Sequence, residues 1–205
     1  MIRIGKTADH YFTEHPRSAL RLGLVRAYLR GRSFEFLTAS GVFSKRRVDL
    51  GTRLLIESMI LPEKGRVLDI GCGYGPIGIA AAASNPCLRV TLVDVNARAV
   101  RLARQNIERN RVCNAEVKRG RLYEPVRDLV FDCVLSNPPV SAGLETVKAI
   151  ICNAPEHMTH GAIFQMVFRS KVGGKRLQTI FNEAFGNVKV WARESGHRVL
   201  MSEKQ

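Results

Sequence analysis

The chain has 205 residues, enough for one well-packed α/β domain and short for two. Its 45% hydrophobic and 24% charged residues exclude a disordered chain. No apolar run nears the ~20 residues that span a bilayer, and the opening MIRIGKTADHYF lacks a signal-peptide centre, so a cytoplasmic protein is expected.

Lys and Arg number 32 against 18 Asp and Glu, and the net charge of +14 favours a polyanionic partner, nucleic acid first, over a merely solvated basic surface. Five cysteines (Cys72, Cys87, Cys113, Cys133, Cys152) lack C-x-x-C spacing. They read as reduced thiols, with neither a zinc site nor a disulfide framework.

Residues 1–16 are polar with aromatics interleaved, among them Tyr11 and Phe12. From Leu20 to Ala39 an alternation carried by Leu22, Leu24, Phe34 and Phe36, with Gly31-Arg32 between its halves, predicts a β-hairpin. Its arginines (Arg17, Arg21, Arg26, Arg30, Arg32) form either a phosphate-facing surface or the wet face of a sheet. The segment 40–52 carries Lys45-Arg46-Arg47 and reaches Asp49, an N-cap for a helix with Leu54, Leu55 and Met59 on its apolar side, closed by Pro62 and Gly65.

Arg66 to Gly78, RVLDIGCGYGPIG, reads as a strand, a glycine turn and the start of a helix running from Pro76 to Ser84. Alternating glycines let the backbone bend and approach a flat or anionic ligand, and the helix offers unpaired N–H groups to it. Gly73, Gly75 and Gly78 fit the G-x-G-x-x-G of dinucleotide folds, a weak match on its own. An oxidoreductase would also need a hydride-site acid or base near the motif, and none stands there.

Leu88 to Val95 is the next strand. Asp94 near its end stands about 20 residues past the turn, where an acidic residue accepts both ribose hydroxyls of an adenosine. Asn96 caps a helix over Ala97–Asn110, with Val100, Ala103 and Ile107 buried and Arg98, Arg101 and Arg104 toward solvent. A strand over Ala115–Lys118 leads to Gly120-Arg121-Leu122. Val130 to Leu135 is a further strand, and it runs into Ser136-Asn137-Pro138-Pro139-Val140. In an open parallel sheet this end faces the glycine turn. A helix over Leu144–His157, a strand over Ala162–Phe168, a helix over Lys175–Phe185 and two strands around Ser195-Gly196 complete the chain. Arg169 and Lys171, just past a strand end, either face a substrate phosphate or are solvated.

Asp-x-Gly-x-Gly-x-Gly, as Asp69, Gly71, Gly73 and Gly75, resembles the first motif of class I methyltransferases that use S-adenosyl-L-methionine (SAM). Asp94-Val95-Asn96 resembles their second motif, and Asn137-Pro138-Pro139 the fourth motif of those that methylate a nitrogen on a planar group. The residue types suit that chemistry. The lone pair of an exocyclic amine is delocalised into its ring, so two acceptors, the Asn137 side-chain oxygen and the Pro138 carbonyl, are needed to hold its hydrogens and turn it pyramidal. Consecutive prolines preorganise those acceptors, and no strong base is required.

With HYFTEHPRS, GVFSKRRVDLGT and the terminal SGHRVL, these motifs resemble the methyltransferase small domain family, which includes bacterial 16S rRNA guanine-N2 methyltransferases and single-domain archaeal-type relatives. The resemblance implies an α/β, Rossmann-like, seven-stranded and mostly parallel sheet with helices on both faces and a reversed C-terminal strand. An N-terminal extension with its hairpin (1–48) would pack on a methyltransferase domain (49–205). It implies SAM held by Asp69, Gly71, Cys72, Gly73, Tyr74 and Gly75 at the turn, where Asp69 either orders the loop or meets the cofactor's amino group. Further cofactor contacts are implied from Asp94, Val95 and Asn96, from Arg121 and Leu122, and from Asn137, Asp49 and Thr52. Arg121 stands where many relatives have an acidic residue, and Val140 where they have an aromatic. The stacking wall would then come from Phe43 or Tyr11, and Val140, Phe43, Arg169 and Lys171 are the substrate-side candidates. The implied activity is N2 methylation of a guanine in ribosomal RNA or the small subunit, without a metal. Glutamine N5 methylation of a protein, or a non-catalytic RNA-binding assembly factor, are the alternatives.

Overall fold

The computed structural model describes residues 19–44, 46–138, 143–171 and 174–205. A two-stranded ribbon, β1 (Leu22–Leu29) and β2 (Arg32–Ala39), precedes the main sheet. Helix α1 (Leu50–Ser58) leads to β3 (Gly65–Ile70), α2 (Pro76–Ser84), β4 (Leu88–Asp94), α3 (Ala97–Arg109), β5 (Ala115–Arg119) and β6 (Phe131–Ser136). Then come α4 (Gly143–Cys152), β7 (Met158–Arg169), α5 (Gly174–Phe185), β8 (Lys189–Glu194) and β9 (His197–Glu203).

The seven-stranded sheet has the order β5-β4-β3-β6-β7-β9-β8, parallel as far as β7. Strand β9 runs antiparallel to both β7 and β8, the reversed hairpin expected from the sequence. The central strands β3, β4 and β6 are buried on both faces, as parallel strands covered by helices are. Val67, Val90 and Leu135 join α1, α2, α3 and the ribbon in one core, while Leu68, Val134 and Phe164 join α4 and α5 in the other. Strand order turns between β3 and β4 on one side and β6 on the other, and ligands bind at such a switch point, beyond the carboxyl ends of the strands.

Three boundaries differ from expectation. The ribbon turns at Arg30-Gly31, both at positive φ as a two-residue hairpin turn requires, and Arg32 already belongs to β2. The helix expected through His157 stops at Cys152 and gives way to a 3₁₀ turn over Ala154–His157, where Pro155 has no N–H to continue the ladder. Strand β7 begins four residues early, at Met158, because the polar Thr159-His160-Gly161 hides a segment that pairs with Phe131.

The alternation read in the hairpin selects the wrong face of β1. Leu22 and Leu24 are 64% and 47% exposed, while Val25 and Leu29 are buried and Val25 pairs with Phe36. The arginines largely serve the fold. Arg26 pairs with Glu35 at 2.7 Å, Arg30 donates to the carbonyls of Ile56 and Met59 at the end of α1, and Arg32 to that of Ala83 at the end of α2. Arg17 lies outside the described residues. Asn106 on α3 and Asn110, its C-cap one turn on, each bond the N–H and the C=O of one β2 residue, Leu37 and Glu35 respectively. Two asparagines thus do for the edge of β2 what a third strand would do. Arg98, expected in solvent, is half-buried and donates to the Ser40 carbonyl at 2.6 Å.

Candidate active site

The glycine turn is built from its neighbours. Val93 O accepts from the N–H groups of Gly71 and Cys72 at 2.9 and 3.0 Å, and Asp94 Oδ2 accepts from Gly73 N at 2.8 Å. Gly71 (φ +75°) and Gly73 (φ +58°) occupy the left-handed region, and a Cβ on either would meet nothing within 4 Å. Both glycines line the cleft. Gly78 has a different reason: a Cβ there would strike Leu92 at 2.5 Å, so it serves helix-to-strand packing.

Asp69 is fully buried behind the turn, and its Oδ2 accepts from Gly78 N at 2.8 Å. Burial pushes its carboxyl up to about 7, with the charge of Asp94 adding to the effect and the Gly78 bond opposing it. Oδ1 has no partner and Asp69 does not line the cleft. Of the two roles open to it, ordering the loop is the one its contacts serve. Asp94 does line the cleft. Burial raises its carboxyl too, against the backbone N–H groups of Asn96, Gly73 and Val95. Its two oxygens accept from Asn96 N and Gly73 N, each at 2.8 Å, and a carboxylate has capacity left for hydroxyls. Burial likewise pushes the Cys72 thiol and the Tyr74 phenol up, so neither is an anion at neutral pH.

Opposite the turn, Ser136 Oγ donates to Ile70 O at 2.9 Å and ties the end of β6 to the end of β3. Asn137 follows, and its Nδ2 donates to Thr52 Oγ1 at 2.8 Å and lies 3.5 Å from Asp49 Oδ2. Thr52 Oγ1 in turn donates to Asp49 Oδ2 at 2.5 Å, while Asp49 Oδ1 accepts from Gly51 N and Thr52 N and caps α1.

A cleft of about 330 Å³ joins these parts, within the range of small-ligand pockets. It gathers Phe43, Asp49, Thr52, Gly71, Cys72, Gly73 and Tyr74, with Asp94, Val95, Arg121, Leu122 and Asn137. It does not gather Asp69, Gly75, Asn96 or Pro138. Gly75 is the N-cap of α2, and Asn96 caps α3 and donates to Gly41 O at 3.1 Å. Pro138 is buried. Arg169 ends β7 and Lys171 follows it, both exposed and off the cleft lining. Pro139, Val140 and Tyr11 lie outside the described residues.

Sequence reasoning missed Val42, Ile70, Pro76, Ile77, Val93 and Ala99, with Gly120, Thr146 and Ile150. Thr146 and Ile150 stand one turn apart on α4, and their spacing marks a shared face without marking a ligand. The pattern suits a nucleoside-like cofactor: a glycine cradle, a carboxylate placed for hydroxyls, apolar walls from Ile77, Val95 and Leu122, and a polar amide at the far end. Among the described residues no cluster of His, Cys, Asp or Glu could hold a metal ion, and no helix is long and apolar enough to cross a membrane.

The model of the methyltransferase small domain matches residues 33–201. Uncharacterized protein YbxB of Bacillus subtilis (strain 168) is 35% identical over 199 residues, covering 96% of this chain and 99% of that protein. Ribosomal RNA small subunit methyltransferase C of Shigella flexneri serotype 5b is 32% identical over 166 residues, 79% of this chain and 47% of that one. Among solved structures, the 16S rRNA N2 G1207 methyltransferase of T. thermophilus, in complex with AdoMet and guanosine, superposes with a TM-score of 0.82 at 25% identity. That match covers 93% of this chain and 52% of the other. The chain spans about half the length of the curated rRNA methyltransferases it matches.

Proposed function

The chain belongs to the methyltransferase small domain family of SAM-dependent enzymes, and from that premise we propose that it methylates the exocyclic N2 amine of a guanine in ribosomal RNA. The observation that carries the proposal is Asn137, whose amide stands at the end of β6, across the cleft from the glycine turn, with its NH₂ taken up by Thr52 and Asp49. Supporting it are the net charge of +14 and the ribosomal RNA substrates of the methyltransferase relatives.

SAM, when bound, supplies an activated methyl on its sulfonium. The residues that would hold it are the Gly71–Tyr74 backbone, Asp94 at the ribose hydroxyls, and Val95, Arg121 and Leu122 about the adenine. Asn137 Oδ1 and the Pro138 carbonyl accept the two amine hydrogens, so the nitrogen lone pair is localised toward the methyl. The donor surface of guanine is held in line by position, and the surplus proton of the methylated amine passes to water without a protein base. Phe43, on the cleft lining, supplies the substrate wall, and Val140 keeps the substrate-side role its position after the prolines implies. Arg169 and Lys171 stand at the same carboxyl end of the sheet to meet phosphates. Residues 1–48 serve as an N-terminal extension to the 49–205 catalytic domain, the described ribbon β1–β2 sharing its core, and the setting is cytoplasmic.

The test is to incubate the protein and its Asn137→Ala variant with methyl-labelled SAM and three acceptors: unmodified small-subunit rRNA, assembled small subunits and transfer RNA. Label should enter ribosomal RNA and be lost with Asn137→Ala. Label passing to protein, or to no acceptor, overturns the proposal.

A further inference from the structure

We infer that Asp49 and Thr52 are positioning residues that choose which end of the Asn137 amide faces the substrate. The inference rests on Asn137 as the amine acceptor. It departs from the expectation that Asp49 and Thr52 serve the cofactor.

An asparagine amide has a two-fold torsion, so its own rotamer preference does not distinguish Oδ1 from Nδ2. The distinction is decisive at this position, because an amine with two hydrogens needs an acceptor and a flipped amide would set donors against donors. The neighbours decide it through one proton. A carboxylate only accepts, so the single Thr52 hydroxyl hydrogen goes to Asp49 Oδ2, at 2.5 Å. Thr52 Oγ1 is thereby left to accept, and what it accepts, at 2.8 Å, is Asn137 Nδ2–H. Oδ1 is turned to the other side of the amide. The two oxygens of Asp49 divide the work: Oδ1 caps α1 through Gly51 N and Thr52 N, and Oδ2 anchors the relay. A capping aspartate needs only the first. Thr52 is buried between the half-buried Asp49 and Asn137.

Asp49→Asn is the informative variant, because asparagine caps a helix as well as aspartate does while its NH₂ must donate to Thr52. The Thr52 hydroxyl then donates to Asn137, and the amide turns over. Thr52→Val cuts the relay at nearly constant volume, and Thr52→Ser should rescue what Thr52→Val loses. Asp49→Asn and Thr52→Val should each lower kcat on the order of 10²-fold, with SAM Kd and acceptor KM near those of the unaltered protein. A rise in SAM Kd with kcat at saturation unchanged would overturn the inference and return both residues to cofactor binding.

A second readout needs no turnover: the ¹⁵N-edited side-chain amide signal of Asn137, assigned by its disappearance in Asn137→Ala. Protection of that amide from solvent exchange should persist in Thr52→Ser and vanish in Thr52→Val. Protection unchanged in Thr52→Val contradicts the relay. Should no RNA accept label, the proposed substrate fails while this signal still decides how Asn137 is held.

Discussion

The two ends of the cleft are made in opposite ways. The cofactor end is local: a strand, a turn and a helix start within 13 residues, closed by backbone donors from Gly71, Cys72 and Gly73 to β4. The acceptor end is assembled from afar, since Asn137 meets Thr52 and Asp49 across 85 and 88 residues of chain. Backbone at one end can fit any ligand of the right shape, whereas side chains at the other must present the right atom. The proposed function then expects the cofactor end to govern affinity and the acceptor end the chemical step.

Predictions that press on this division run from large to small. Asn137→Ala should lower the single-turnover rate roughly 10²- to 10³-fold, the range for a lost preorganised hydrogen-bonding group, and leave SAM affinity unchanged in calorimetry. Gly73→Val should do the reverse. A branched side chain at φ +58° carries left-handed strain of order 1–3 kcal/mol and fills cofactor space, so SAM Kd should rise about 10-fold or more while transfer at saturating SAM persists.

Asn106 links the cofactor end to the ribbon, bonding Leu37 N and O and the Tyr74 carbonyl. Asn106→Leu strands those groups and should cost about 1–3 kcal/mol. Thermal melting would read this as roughly 2–4 °C of Tm for each kcal/mol.

A further prediction concerns pH. Asp69 is held at about 7 in the folded chain, above the ordinary 3.8, because burial favours its neutral form. The folded state keeps a proton that the unfolded chain gives up, so this contribution is full below pH 4 and is lost as pH rises to about 7. Asp69→Asn keeps an acceptor for Gly78 N, and the slope of Tm against pH between those values should flatten.

The same contrast explains what could be read from the chain. Glycine turn, Asp94 and the strand into Asn137 carry their geometry in adjacent residues, so periodicity and turn chemistry disclose them. The reversed β8–β9 pair is equally visible through Ser195-Gly196, both at positive φ. What stayed hidden depends on partners distant in sequence. Leu22 and Leu24 alternate as core residues do, yet it is Val25 and Leu29 that join Phe34 and Phe36 in the core and leave the face of Leu22 and Leu24 outward. Asp49 reads as a cap and is one, but nothing local shows that its second oxygen reaches toward Asn137 through Thr52. Thr146 and Ile150 reach the cleft only because α4 packs where it does.

The most direct measurement is the identity of the methylated atom: complete digestion of the labelled RNA product to nucleosides, followed by mass spectrometry. The proposed acceptors for an exocyclic amine, taken with the rRNA guanine substrate proposed above, predict N2-methylguanosine. A 2′-O-methylated ribose or a ring-carbon methyl would contradict the account, since neither offers two amine hydrogens for Asn137 and Pro138 to hold.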